Sequence, residues 1–571
     1  MNRLILLLAA ILGVGCTKHF IPLNPDSGIP GSADPSATPS TCQWSTECAA
    51  PIEPARPPPA ITGGNLAAME DGTWVIADPD RALLWHVNAT SVLGRVELAE
   101  SDFPGRVLAQ GGKAFVILRR AAQLAELDLT THNLIRRDTC VEPRGLASRA
   151  GEILVGCASG EIEAFTASGV RRTLMQSRLL EDLRDLEVEA DRLVVSTFRN
   201  AQLFEVREGV VPRVLNNPAK AAAVGSRVVP RVAWRLRAGL IVAQDDLTDR
   251  PPAPEYYSGP TNLGPGLVST ALYRVEGQKV IALGSSKAVL PVDVVSAGGS
   301  IFVASAATNE LYREVFAYGE EYRVSLPGQP TSLAISGGTL AVFLREPAQL
   351  MFYSLEGELQ GTLPLDAGSA FSTSHELFHR AGTAALACAS CHPEAGDDGH
   401  TWMIDGARRT PSLRGGLSTT APFHWTGEET DMRILMTDVF VTRMRGKQQS
   451  PERIEAFTKW IDAQEALRPP SVDVAAAARG KELFDSTAVG CASCHSGAQG
   501  TNNANANVGT DGTFQVPRLL ELARRAPYFH DGRVQNLEAR FLPVAGGALH
   551  GNVEQLDEQQ RADLLEYLKS R

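Results

Sequence analysis

The chain has no excess of positive charge. Lysine and arginine number 54 against 65 aspartates and glutamates, a formal net charge of −11 over 571 residues. Nucleic acid needs a basic face, so it is excluded as the main partner. Long apolar runs are also missing: beyond residues 4–12 nothing could cross a bilayer, and that run is itself too short for a permanent span. Cysteines are few, nine in all. What remains is a chain too long for one core, with about three or four domains expected.

The N-terminus reads as a targeting segment. Asn2 and Arg3 precede the apolar run, which ends in Gly13-Val14-Gly15-Cys16. This ending resembles the lipobox of bacterial lipoproteins, with Gly13 where leucine is usual. The resemblance implies a signal peptide over 1–15, cleavage before Cys16, and a lipid on its thiol. The protein is then exported and membrane-anchored, at the periplasmic face or the cell surface; Thr17 in place of aspartate favours the outer membrane. An oxidising compartment makes Cys42, Cys48, Cys140 and Cys157 disulfide candidates, and proximity pairs Cys42 with Cys48 and Cys140 with Cys157. Residues 16–60 are rich in proline, serine and alanine and read as a semi-extended tether.

A repeat follows. Units such as "PGRVLAQGGKAFVIL", "PVDVVSAGGSIFVAS" and "PTSLAISGGTLAVFL" begin near residues 63, 104, 143, 184, 230, 291 and 330. A period of about forty residues, each an apolar strand, a turn and another strand, is that of a propeller blade. A seven-bladed β-propeller is expected over 61–367, with six or eight blades as alternatives. The longest interval holds an insertion with Tyr256-Tyr257, read as a loop stacking on itself. No catalytic cluster is visible here; His86 and His132 read as packing or surface residues.

After residue 368 the texture turns helical and is duplicated. One copy runs "HELF", Cys388-x-x-Cys391-His392, "RRTPSLRG", "APFHWTG", "RMRG" and a closing helix. The other runs "KELF", Cys491-x-x-Cys494-His495, "FQVPRLLEL", "APYFHDG", "ALHG" and a closing helix. Two mainly α-helical, class I-type cytochrome c domains are expected, over 368–468 and 469–571. Zinc would need two more ligands beside each pair. A thioredoxin-like pair would sit in a βαβ setting and needs no histidine. Cys-x-x-Cys-His is the attachment pattern of haem c: two thiols on one helical turn reach the two vinyl groups, and the next imidazole meets the iron. Two covalent haems are expected, with His392 and His495 as proximal ligands. Pro411 and Pro517 are candidates to accept from the imidazoles through their carbonyls, as in small c-type cytochromes. Aligning the copies on Gly427 and Gly532 brings Met444 level with His550, candidates for the sixth ligands. Trp425 then matches His530, read as a structural or haem-edge residue, and Met432 and Met436 read as core.

Residues 370–571 resemble the bacterial di-haem cytochrome c peroxidases, which include the di-haem enzyme that matures a tryptophan-derived quinone cofactor. The resemblance rests on the two haem motifs, "GHTW" from Gly399, "TPSLRG", "APFHWTG" and "APYFHDGRV". It implies a removable sixth ligand at His400, in competition with Met444, and an interhaem tryptophan at Trp425, both catalytic candidates. It also allows a calcium between the domains. Departures are marked. Arg443 stands where the family has its distal glutamate, and arginine cannot act as a base. Leu435 stands near the place of a family glutamine, and no methionine matches the second-haem ligand near Val544, which turns attention to His550.

Three functions follow: one-electron transfer through two six-coordinate haems; peroxide reduction or substrate oxidation at the first haem; or surface recognition by the propeller with the haems sensing redox state. The missing glutamate favours electron transfer, with a redox protein or small donor as partner.

Overall fold

The computed structural model describes residues 46–215, 228–247, 267–315, 320–404 and 406–571. These residues all belong to the compact unit Ser45–Arg571. Cys16, Cys42, Tyr256, Tyr257 and the tether up to residue 45 lie outside the described residues. No helix among the described residues is long and apolar enough to cross a membrane.

The described strands of the N-terminal region form seven four-stranded antiparallel sheets, over 66–97, 104–138, 143–176, 183–214, 228–286, 291–325 and 330–364. Each sheet takes four consecutive strands, so pairing is local. Gly111 and Gly112 both have positive φ (58° and 70°), as do Gly298 with Gly299 and Gly337 with Gly338. Two successive left-handed residues make the hairpin turn whose twist suits the flanking strands. That is the turn signal repeated along the sequence.

The first strand of several blades carries a bulge near its start, as between Pro143 and Gly145 and between Leu183 and Asp185. A bulge re-aims the residue it skips; here those residues are Arg144 and Arg184, both buried. First strands pack side by side around a ring, and Pro330–Ser336 meets Leu66–Ala68 to close it. At this seam Gly64 donates to the Thr331 carbonyl at 3.2 Å and Leu66 to the Ser332 hydroxyl at 3.0 Å. Trp74, Trp85, Phe343 and Phe352 share one buried cluster across it. The result is a seven-bladed propeller closed by packing, with no strand exchanged between blades among the described residues.

Charged residues from different blades meet in the interior. Arg106 pairs with Asp185 at 2.9 Å, Arg235 bridges Asp185 (2.7 Å) and Asp293 (3.1 Å), and Ser332 donates to Asp293 at 2.7 Å. Burial opposes the Asp185 carboxylate, yet Arg106 and Arg235 hold it at about 2. Cys140 and Cys157 form a disulfide with Cα atoms 6.2 Å apart. It ties the segment after the second blade to the second strand of the third. Cys48 is disulfide-bonded as well. His86 and His132 bond each other at 3.1 Å.

The C-terminal half holds α1 (Thr373–His379), α2 (Cys388–Cys391), α3 (Met432–Leu435), α4 (Pro451–Asp462), α5 (Val474–Asp485) and α6 (Glu558–Lys569). α1 packs on α4 and α5 on α6, the same pairing in each copy of the repeat. Ser450 caps α4 ahead of Pro451, and Asp557 with Gln560 forms a capping box on α6. Gly480 lets α5 approach closely, since a Cβ there would meet the Asp563 carbonyl oxygen at 2.0 Å.

The stretch before the propeller is built into this half. Thr46–Glu47 pairs in parallel with Gln448–Gln449, Trp460 donates its indole N–H to the Pro58 carbonyl at 2.8 Å, and Gln464 accepts from Ala60 at 3.1 Å. So the last fifteen or so residues assigned to the tether, about 46–60, are ordered by backbone partners that composition does not reveal. One apolar core runs on from the propeller (Phe198, Trp234, Leu290) into the helical half (Phe378, Met444, Trp460).

Candidate functional site

The turn Cys388–Cys391 opens onto a cavity of about 520 Å³, within the roughly 300–1,000 Å³ of small-molecule and cofactor sites. Cys388, Cys391 and His392 are on its wall. His392 closes the turn by donating its backbone N–H to Cys388 at 2.9 Å. Its Nδ1–H donates to the Gly396 carbonyl at 3.1 Å, which leaves Nε2 as the atom able to bind metal. The Pro411 carbonyl is a second, weaker acceptor, behind Gly396. Burial pushes this imidazole down to about 4, so it is neutral, as a ligand must be. Burial also pushes the Cys388 thiol up to about 12. Neither cysteine pair closes a disulfide, and no third ligand of a metal cluster gathers on either among the described residues.

Met444 lies on the same wall. It ends a π-helical stretch, Met436–Arg443, and its N–H bonds Val439 five residues back at 2.9 Å; such wide turns recur at functional sites. Met432 and Met436 also line the cavity while packing into the core. His400 does not line it. Its ring packs edge-on against Trp402 at 4.4 Å, and Trp402 donates to the buried Asp398 (3.1 Å) and to Thr410 (3.0 Å).

The second motif repeats this geometry. His495 donates its N–H to Cys491 at 3.0 Å, and its Nδ1–H goes to Gly500 at 2.9 Å with the Pro517 carbonyl second. The imidazole rings of His495 and His550 stand 6.2 Å apart between centroids. Two imidazoles bound to opposite faces of one metal, at metal–nitrogen distances of about 2 Å, would put their centroids about 6 Å apart. His550 donates Nδ1–H to Ala545 at 3.1 Å, leaving Nε2 for a metal. Ser493 and residues 496–498 beside this motif are exposed, whereas Ala389, Ser390 and 393–398 beside the first are buried.

The segment after each motif is also duplicated in space. Phe423 bridges Glu429 as Tyr528 bridges Val534, His424 and Phe529 both take positive φ, and Asp431 and Asn536 both cap the next turn. Trp425 lines the first cavity and donates its indole N–H to the Arg409 carbonyl at 2.7 Å. Its ring is 6.2 Å from His530, which stacks on Phe514 at 3.8 Å, while Phe529 meets His550 at 5.4 Å. These are two groups of rings, one beside each motif, and they meet where Phe529 and His530 adjoin in the chain.

Two features carry no mark in the sequence. Glu394, two residues past His392, is buried against Arg119 (2.8 Å), Arg184 and Arg414 (3.8 Å). Leu267 of the propeller lines the first cavity. His424 Nδ1 lies 3.0 Å from Glu428 and 3.7 Å from Glu429, and His424 and Glu428 are on the cavity wall. A histidine–glutamate pair is acid–base chemistry that the comparison of Arg443 and Leu435 had left without a source.

The family model for cytochrome c matches residues 477–571. Hydrazine synthase subunit gamma of Kuenenia stuttgartiensis is 26% identical over 253 residues, covering 32% of this chain and 71% of that protein. Among solved structures, hydrazine synthase of Kuenenia stuttgartiensis is 23% identical over 34% of this chain and 82% of that one, with a TM-score of 0.30. Virginiamycin B lyase from Staphylococcus aureus is 10% identical over 55% and 87%, with a TM-score of 0.28. The C-terminal region of this chain, residues 477–571, is thus a cytochrome c domain, a family that implies a covalently bound haem c.

Proposed function

We propose that this protein is a di-haem c-type cytochrome, peroxidase-like in build, that passes single electrons between a redox partner and an acceptor. In this reading residues 368–468 form a second cytochrome c domain, and the haems are attached at Cys388 and Cys391 and at Cys491 and Cys494. One observation carries it: both motifs present the same neutral histidine, oriented by a glycine carbonyl, and the first opens onto a haem-sized cavity. Haem c supplies a one-electron couple at iron. Met444 and His550 would be the further residues to hold the irons, and Trp425 with His530 and Phe529 would lie on the path between the sites. The more exposed second motif is the port for the partner. Cys16 carries the lipid, and the chain works outside the cytoplasm, most simply at the outer membrane. The relative named hydrazine synthase subunit gamma supports a redox role.

The experiment is peptide mass spectrometry and a reductive haem titration of protein matured in a host competent for cytochrome c. Two covalent haems, both low-spin as purified and indifferent to peroxide, are expected. A bare polypeptide mass at Cys388 and Cys391 removes the first site.

A second reading, enzymatic turnover at the first site, is favoured by the His424–Glu428 pair on the cavity wall. It requires Met444 to leave the metal. A high-spin signal that appears on half-reduction and responds to peroxide would establish it.

A further inference from the structure

Among the described residues, the first cavity is lined by five arginines, Arg408, Arg409, Arg443, Arg518 and Arg525, and one carboxylate, Glu428. Three of these arginines are more than nine-tenths buried: Arg409 (3% exposed), Arg518 (7%) and Arg525 (8%). Each has a guanidinium nitrogen without a hydrogen-bond partner: Nε of Arg409, Nη1 of Arg518 and Nε of Arg525. Arg409 is paired with Asp397 at 2.8 Å, but Arg199 shares that carboxylate at 3.3 Å. Arg518 and Arg525 bond only backbone carbonyls among the described residues: Arg518 that of Ser412 (2.5 Å), Arg525 those of Arg518 (3.3 Å) and Leu520 (3.2 Å). Glu521 and Asp462 lie near Arg518, and Glu521 and Asp397 near Arg525, but neither guanidinium closes an ion pair with them among the described residues; buried cations whose nitrogens lack a direct anionic partner are costly unless an anion meets them. A guanidinium fork matches a carboxylate in two-point geometry.

Resting on the di-haem reading, we propose that Arg518 and Arg525, with Arg409, form a cradle for the two carboxylates of the haem attached at Cys388 and Cys391. The cradle crosses from one copy of the repeat to the other. The thiols belong to the first copy, while Arg518 and Arg525 belong to the cytochrome c domain matched over 477–571. Pro517, next to Arg518, offers its carbonyl to His495 of the second motif and also lines the first cavity. One dipeptide therefore touches both sites. Loading the first site fastens the two copies together, and a charge change at its carboxylates is felt one residue from the oriented imidazole of the second. Buried cations near a haem favour its reduced, less positive state.

The test uses the full chain with both haems attached. Arg518→Gln and Arg525→Gln, singly and together, are compared with the parent by redox titration across mildly acidic to neutral pH. The affected haem is assigned by the signal missing from a Cys388→Ser/Cys391→Ser chain. The expected result is a lower midpoint potential for that haem, steeper with pH because its carboxylates now titrate, and a shifted propionate bending band in resonance Raman. Potentials, pH profiles and Raman bands that do not move in the doubly loaded variants overturn the cradle. Should the glutamine variants fail to fold, Arg518→Lys keeps the charge and loses the fork: a shifted Raman band with a nearly parental potential supports the cradle, and an unshifted band overturns it. Absence of haem from the parent's Cys388–Cys391 peptide is a separate outcome, which removes the first site and the cradle together.

Discussion

Arg119 on the second blade and Glu394, two residues past the histidine of the first motif, form a buried ion pair at 2.8 Å. Arg184 of the fourth blade holds the other carboxylate oxygen. Burial works against this charge, but Arg119, Arg184 and Arg144 win and keep the carboxyl well below its usual range. The propeller thus grips the segment that follows the first motif directly, two residues from His392.

Glu394→Gln is expected to strand buried arginines and to destabilise the chain by about 3–5 kcal/mol. Denaturant titration with both cytochrome and propeller probes reads this. A change under about 0.5 kcal/mol, the level of an ordinary surface substitution, would remove the anchoring role. Arg119→Met in the Glu394→Gln background should cost less than the two single changes combined, because fewer charges are left unpaired.

The sixth-ligand assignments are separable by spectroscopy. Met444→Ala should turn one haem high-spin, and Met444→His should keep it low-spin at a lower potential, since a thioether ligand raises the potential. His400→Ala should leave that haem's spectrum as it was, because His400 packs on Trp402 and is not itself on the cavity wall. His550→Ala should make the other haem high-spin. A high-spin haem in His400→Ala with Met444→Ala silent would reverse the assignment.

Trp425→Leu should slow electron transfer between the haems severalfold while both potentials hold. The indole is one of the rings on the cavity wall, and it approaches His530 at 6.2 Å and Phe514 at 6.5 Å, both in the second copy of the repeat. Stopped-flow reduction followed at each haem's own wavelength measures this. Unchanged kinetics would take Trp425 out of the path.

What could be read from sequence was local. Gly111-Gly112 and its counterparts mark hairpins because only the turn itself decides them, and the spacing of Cys388, Cys391 and His392 is set within one helical turn. What could not be read depended on partners far along the chain. Nothing in "HPEA" distinguishes Glu394 until Arg119 and Arg184 fold over it. Nor does proline content show that Pro58 meets Trp460. The sequence points to Pro411 and Pro517 as imidazole acceptors, yet Gly396 and Gly500 come first because the chain turns back at once after each motif. His400 lies close to His392 in sequence, yet it is Trp402, in the strand Thr401–Met403, that lines the cavity, and His400 packs against that indole instead.

Acid should weaken this fold earlier than its carboxylates alone would dictate. His375 and His379 stack at 4.0 Å inside α1, 0% and 1% exposed. His379 is committed as a neutral ring: Nδ1–H donates to the His375 carbonyl at 2.8 Å, and Nε2 accepts from Ile61 at 3.1 Å. Burial pushes it down to about 3. Burial, then the Arg345 guanidinium and His379, hold His375 well below its ordinary value. Both folded values are depressed, so as pH falls the unfolded chain takes up these protons first. Stability is therefore intact above about pH 6.5 and declines below it, by about 1.4 kcal/mol per pH unit for each histidine, until the folded values are reached. Carboxylates held low in the folded state, such as Glu394, add their losses only below about pH 4.5. His375→Phe keeps a ring against Trp460 and removes one titrating group. Between about pH 6 and pH 5 it should flatten the dependence of unfolding free energy by about 1.4 kcal/mol per unit, and an unchanged slope would show that His375 is not neutral in the fold.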